Sequence, residues 1–273
     1  VTTEPDTLLT ALYVHIDDHL KRPRWRGRPP RLTDAELVTL AVAQAVLGFH
    51  CEARWLRFAH AHLHHLFPYL PQRPAYNKRL RVALGLVKRA IRSLAADTDL
   101  WQDPVWIVDP TPVECARSRQ TVKRSDLVGW VNYGYCHAHS RFYWGLKLHL
   151  VCTPAGLPVT WALAGPKTDE RQVLAALVET EPELAAARPG LLIRADKGYV
   201  SHELDRFLEA RGIRLLRPSY RNRVPRPGES LLKTVRQLIE SVNDTLKASS
   251  TSNSTAAAPS KASASVWPSA SWP

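Results

Sequence analysis

Three carboxylates stand where a folded chain can bring them together. Asp109 closes the strand-like run VWIVD, with Pro110 expected to end its ladder. Asp196 closes LLIRAD ahead of Lys197-Gly198-Tyr199, and Glu240 lies within ESLLKTVRQLIESVNDTLK. On that last segment Ile239, Val242 and Leu246 form an apolar stripe. Arg236, Glu240, Asn243 and Lys247 recur at i, i+4, i+7 and i+11 on the opposite side. Carboxylates from three elements can hold two divalent cations about 4 Å apart. One ion activates water or a 3′-hydroxyl, and the other stabilises the leaving oxygen of a phosphodiester. Each residue also has a plainer reading, as a turn aspartate at a strand end or a solvated glutamate on a helix.

The elements that must position these groups change texture along the chain. Residues 1–100 read as helices joined by basic loops. LTDAELVTLAVAQAVLGF opens with Thr33 and Glu36 in capping-box relation, and a second helix falls within CEARWLRFAHAHLHHL. A third is expected over YNKRLRVALGLVKRAIRSLAAD, with Leu80, Leu84, Val87, Ile91 and Leu94 along one face. Residues 101–247 carry short β-rich runs: VWIVD, FYWGLKLHLVCT, LPVTWALAG, LLIRAD and IRLLRPS. Helices separate the later runs, one over TDERQVLAALVETEPELAAA and one over SHELDRFLEARG, with Ser201 as N-cap and Gly212 as stop. The order β-β-β-α-β-α-β-α predicts an α/β domain, a mixed sheet with flanking helices. If the Asp109 and Asp196 strands are neighbours, both carboxylates emerge at the carboxyl edge of the sheet. Residues 248–273 hold 16 Ser or Ala and one charge, and are expected to be a disordered tail.

Composition narrows the partner. Lys and Arg outnumber Asp and Glu by 37 to 25, for a net charge of +12, and arginine supplies 27 of the 37 bases. Arginine's planar fork suits phosphate, so nucleic acid is the leading partner. No apolar run approaches the roughly 18 residues that would span a bilayer. The acidic N-terminal stretch lacks the form of a secretory signal, so a cytoplasmic, nucleoid-associated protein is expected. Val1 reads as a literal translation of an alternative start codon, which points to a bacterial gene. Cys51, Cys115, Cys136 and Cys152 are scattered, which argues against a structural zinc site or a disulfide framework.

The segments WIVDPTPVECARS, RADKGYVSHELDRFL and RQLIESVNDTLK closely resemble, in order, the three blocks of bacterial insertion-sequence DDE transposases. The nearest are the insertion-sequence families numbered four and nine-eight-two, and FPYLPQRPAYNKRLR also resembles the second of these. The resemblance spans most of residues 5–247. It matches Asp109 to the first block, and Asp196, Gly198 and Tyr199 to strand-Asp-x-Gly-Tyr. It matches Arg236, Glu240 and Lys247 to Tyr-x2-Arg-x3-Glu-x6-Lys, where Lys233 replaces the Tyr. It implies an RNase H-like catalytic domain at 101–247, preceded by a helical DNA-binding region. Asp109, Asp196 and Glu240 would then ligate two Mg²⁺ or Mn²⁺ ions, with Arg236 and Lys247 on phosphates near the cleaved bond. Lys197 and Tyr199 are weaker DNA-contact candidates. The implied activity is cleavage at the element's ends and strand transfer into target DNA, by a homodimer or larger assembly on paired ends. The rivals are a nuclease without strand transfer and a catalytically inactive DNA-binding relic.

Other features are open between two readings. KRPRWRGRPPR centres on Arg26-Gly27-Arg28-Pro29, either a minor-groove hook or a solvated basic loop. Arg214, Arg217, Arg221, Arg223 and Arg226 precede the third block and could track a DNA backbone. His60, His62, His64 and His65 are more simply a helix surface than a metal cluster. Lys147 and His149 alternate with Leu146 and Leu148, over the site or on a polar sheet face. The family resemblance stops after Lys247, and the tail that follows is what an out-of-frame reading of G·C-rich DNA would give. A frameshift near codon 248 and a truncated copy are therefore expected.

Overall fold

A computed structural model describes residues 5–20, 27–116, 119–125, 127, 131–136 and 140–218. The chain divides into two compact units with the boundary between Leu94 and Ala95.

The first unit is helical: α1 (Pro5–His19), α2 (Asp34–Val46), α3 (Glu52–His62), α4 (Arg73–Val82) and α5 (Leu84–Ala96). Helix α2 begins where the sequence places it. The Glu36 N–H donates to Thr33 Oγ1 at 3.1 Å, and the Thr33 N–H donates to the Glu36 carboxylate at 2.6 Å. Trp55, Leu37, Leu40, Phe67 and Tyr76 fill one cluster, and Ile16, Ala35, Val38 and Ala90 another. The single helix expected from Tyr76 to Asp97 is broken at Ala83, which caps α4 through its N–H on the Leu80 carbonyl. Gly85 weakens helical preference there. The break resets the phase, so the buried face of α5 carries Leu86, Val87 and Ala90, with Ala83 buried at the break, and Leu94 is exposed.

The second unit is a mixed sheet with flanking helices. Its strands are β1 (Val105–Ala116), β2 (Asn132–Cys136), β3 (Arg141–Cys152), β4 (Pro158–Ala164), β5 (Leu192–Arg194) and β6 (Arg214–Leu216). Its helices are α6 (Arg119–Arg124), α7 (Glu170–Thr180), α8 (Pro182–Ala186) and α9 (His202–Glu209). The strand order is β2-β3-β1-β5-β6, and β4 also pairs with β3. Strands β1, β3 and β4 are antiparallel neighbours, whereas β5 and β6 run parallel to β1. This is the RNase H-like arrangement. Of these elements, β2 and α6 have no counterpart in the sequence reading.

The two faces of the sheet differ. Trp106, Val108, Val151, Ile193 and Tyr199 pack on one side against Val173, Leu174 and Leu177 of α7 and against Leu204 and Leu208 of α9. Ile107, Leu150 and Cys152 form a cluster on the other side. Burial of β3 on both faces explains its near-continuous apolar run. Gly145 on β3 is required by space: a Cβ there would lie 2.1 Å from the Val113 carbonyl oxygen. Ser201 caps α9 by accepting from the Leu204 N–H at 3.2 Å, and Gly212 follows the helix with φ +71. The four cysteines are free thiols. Among the described residues no helix is long and apolar enough to cross a membrane.

Candidate active site

The site is built on β1 and its parallel neighbour β5. Strands β1 and β5 pair through Val105↔Leu192, Trp106↔Ile193 and Ile107↔Arg194. Asp109 and Asp196 each lie two residues beyond that last pair, so both leave the parallel ladder at its carboxyl edge. Strand β1 does not end at Pro110, contrary to expectation. Pro110 pairs opposite His149, and the strand continues to Ala116. Because β5 has left the ladder by then, this stretch of β1 is paired on one side only, where a proline is tolerated.

Asp109 is half-buried and opposes Leu150, which places it on the Ile107–Leu150–Cys152 face. Burial and then the nearby Asp109 charge push the Cys152 thiol up to about 12. Asp196 is exposed and caps a short 3-10 turn, Lys197–Tyr199, by accepting from the Gly198 N–H at 2.8 Å. An ideal Cβ at Gly198 would sit 2.8 Å from Glu170 Oε2 and 3.0 Å from Asp196 Oδ1. A side chain at this position would have to displace the Glu170 carboxylate from over the turn.

Glu170, at the start of α7, accepts a 2.7 Å ion pair from Lys147 Nζ. Its neighbour Asp169 caps α7 through the Arg171 N–H, and the Arg171 side chain holds that carboxyl below its ordinary range. Neither Glu170 nor Asp169 stands out in the sequence; the available signal is two adjacent acids at a helix start, one residue removed from Gly-Pro-Lys.

Tyr199 differs from its expected place at the DNA. It is fully buried among Tyr199's own core neighbours of the α7 and α9 side, because the 3-10 turn folds its ring inward. Burial first, then the charges of Glu170, Asp196, Asp109 and Asp169, hold its phenol well above the ordinary range. Lys197 in the same turn is exposed beside Asp196. Lys147 and His149 pair with Pro112 and Pro110, on the strand face opposite to that of Asp109. Burial, then Lys147, pushes His149 down to about 4. Arg217, expected among bases tracking DNA, is instead buried and forms a two-pronged pair with Asp205 of α9. Arg28 and Arg214 are exposed. His65 pairs with Asp6 at 2.8 Å, and among the described residues no His, Cys, Asp and Glu group of three can hold a metal. Glu240, Arg236, Lys247, Arg26, Arg221, Arg223, Arg226 and the tail at 248–273 lie outside the described residues.

A family model described as a transposase DDE domain matches residues 102–257, more than half of the chain, and includes Asp109, Asp196 and Glu240. The chain belongs to the DDE transposases. The match ends at residue 257, ten residues past Lys247. No curated protein matches the chain. Among solved structures, the chain is similar to a piggyBac transposase synaptic complex with hairpin DNA, at 13% identity and TM-score 0.38. That likeness covers 85% of this chain and 51% of the other. It is also similar to a Drosophila P element transposase strand transfer complex, at 14% identity and TM-score 0.30, covering 79% and 48%. The chain therefore spans about half the length of these structures.

Proposed function

We propose that the protein is an insertion-sequence transposase that cleaves DNA at the ends of its element and joins them to target DNA. The observation that carries this reading is the emergence of Asp109 and Asp196 at equal depth beyond the Ile107↔Arg194 pair, on adjacent parallel strands. Asp109, Asp196 and Glu240 are the catalytic carboxylates. Their hard oxygen donors fit Mg²⁺ or Mn²⁺, two ions of which would supply an activated 3′-hydroxyl or water and stabilise the departing oxygen. The chain's own residues hold that arrangement. The Gly198 N–H fixes one oxygen of Asp196, and Glu170, held by Lys147, lies over the same side of Gly198. Lys197 stands exposed next to Asp196, suited to a phosphate of the bound strand. Arg236 and Lys247 take phosphates near the cleaved bond, and Arg26, Arg28, Arg221 and Arg223 extend the contact. The protein works as a homodimer or larger assembly on paired ends. The finer placement within the insertion-sequence families numbered four and nine-eight-two, and a frameshifted C-terminus, belong to the same proposal.

The test is strand cleavage and joining on DNA carrying the gene's own flanking repeats, with Mg²⁺ or Mn²⁺, beside Asp109→Asn and Asp196→Asn. Metal-dependent cutting at the repeat ends that both substitutions abolish is the expected result. Cutting that survives either substitution would overturn the carboxylate assignment. Cutting without joining would replace transposition by simple nuclease action.

A further inference from the structure

The Asp109 face of the sheet continues well beyond the acid. The β1–β3 register shifts between Glu114 and Ala116, where β1 carries the extra residue, while β3 alternates through its pairing with β2 and β1, so Phe142, Trp144, Leu146, Leu148 and Leu150 share one face. Leu150 opposes Asp109, whereas Phe142 opposes Tyr135 of β2. Eight residues along the strand separate the two positions, about 26 Å at roughly 3.3 Å per residue. Between them Trp144 and Leu146 are covered by Leu127 and Val131, with Val122 of α6 packed against the cluster. Next to Val122, Lys123 and Arg124 are exposed.

Beyond that cover the face carries exposed aromatics. Phe142 is 76% exposed, Tyr133 48% and Tyr135 40%. Tyr135 and Phe142 meet edge to face, with ring centroids 5.0 Å apart. An aromatic patch left in water at a strand edge is unusual without a ligand to cover it. Asp109, the apolar cluster beneath α6 and the aromatics thus follow one another along a single face of the sheet, with Lys123 and Arg124 exposed on the helix that covers its middle.

We propose that the outer end of this face is a stacking platform for an unpaired nucleobase. Phe142 and Tyr135 take the base, and Lys123 and Arg124 take phosphates of the strand leading to it. The inference rests on the reading of the chain as a DNA-processing enzyme. The edge-to-face pair holds the rings in place, so a base stacks on a surface already ordered. Stacking on an aromatic accepts any base, and the flanking cations add no sequence preference. The platform therefore selects for single-strandedness, such as a frayed or overhanging end, rather than for sequence.

The experiment uses the full chain and two DNA probes matched in phosphate number. One is a blunt duplex, and the other ends in a single-stranded overhang carrying 2-aminopurine. The overhang probe is expected to bind more tightly and to lose fluorescence on binding. Phe142→Ala weakens overhang binding by roughly 5- to 100-fold, restores the fluorescence, and leaves blunt-duplex affinity within about twofold. Phe142→Trp keeps both properties, and because the side chain is exposed neither substitution disturbs the core. Equal affinity for the two probes, or an overhang affinity unmoved by Phe142→Ala, overturns the platform while leaving the catalytic reading intact. Sedimentation showing that Phe142→Ala turns a dimer into a monomer assigns the patch to a second copy of the chain and also overturns it. Failure to bind either probe removes the DNA-processing reading itself. Asp109→Asn is expected to retain the overhang preference, which separates the platform from catalysis.

Discussion

The two units handle charge in opposite ways. Among the described residues, the buried Glu, Arg and His side chains Glu181, Arg188, Arg194, Arg217 and His149 all belong to the sheet unit, whereas the helical unit buries Thr39 and the phenol of Tyr76. Arg188 donates to the carbonyls of Leu184 and Trp101 and lies over the Trp101 ring at 4.9 Å. Arg217 is clamped by Asp205. In the helical unit, charges work at the surface and at helix ends: Glu36 in the capping box, Arg79 on Asp34 at 2.7 Å, Arg31 over Tyr69 at 4.4 Å. Only exposed bases can meet a polyanion, so arginine count alone overstates the surface available. The sheet unit diverts several of its bases into its own frame.

The largest effect that would sharpen this contrast is expected from Asp205→Ala. It leaves the Arg217 guanidinium, 3% exposed, without its carboxylate, at a cost of about 3–5 kcal/mol. Urea unfolding measures the loss; a change below about 1 kcal/mol would mean that Arg217 is not held as a buried pair.

A smaller effect comes from His149. Its folded value of about 4 lies below the unfolded value of 6.5, so the unfolded chain binds the extra proton between those limits. Its contribution to stability is therefore whole above about pH 6.5 and is lost as pH falls toward 4. Between pH 7 and 5 the loss is about 2 kcal/mol. Neither ring nitrogen has a hydrogen-bond partner among the described residues, so His149→Leu is tolerated and flattens that pH dependence. An unchanged slope in thermal unfolding between pH 7 and 5 would exclude His149 as its source.

The smallest expected effect lies in the helical unit. Thr33→Ala removes the side-chain half of the capping box and costs about 1 kcal/mol, independent of pH between 5 and 7. A cost as large as that of Asp205→Ala would erase the distinction between the two units.

Much of this was legible in the sequence. Thr33 and Glu36 specify a helix start by contacts three residues apart, and Ser201 and Gly212 bracket α9 in the same local way. Short β-rich runs separated by helices gave the sheet its class. Asp109 and Asp196 stood out by type and by position at the ends of those runs. The break at Ala83 was not legible, because Leu80, Leu84, Val87 and Ile91 keep a helical period straight across it. Nor was β2, whose residues NYGYC gain strand identity only by pairing with Arg141–Gly145. Tyr199 and Arg217 illustrate the same limit for function. An aromatic in a motif and an arginine in a basic run look like ligands for DNA, yet one ring turns into the core and one guanidinium finds Asp205 twelve residues earlier.

The sequence by itself determined the family, the class of fold and the two carboxylates of the described site, since these rest on residue type, local period and spacing within single elements. Tertiary structure decided that Asp109 and Asp196 leave the sheet side by side, that Glu170 lies over the turn that follows Asp196, and which bases remain at the surface. Those outcomes depend on strand register and on partners far apart in the chain. A one-residue shift in register would turn Asp109 to the opposite face while leaving the sequence motif unchanged.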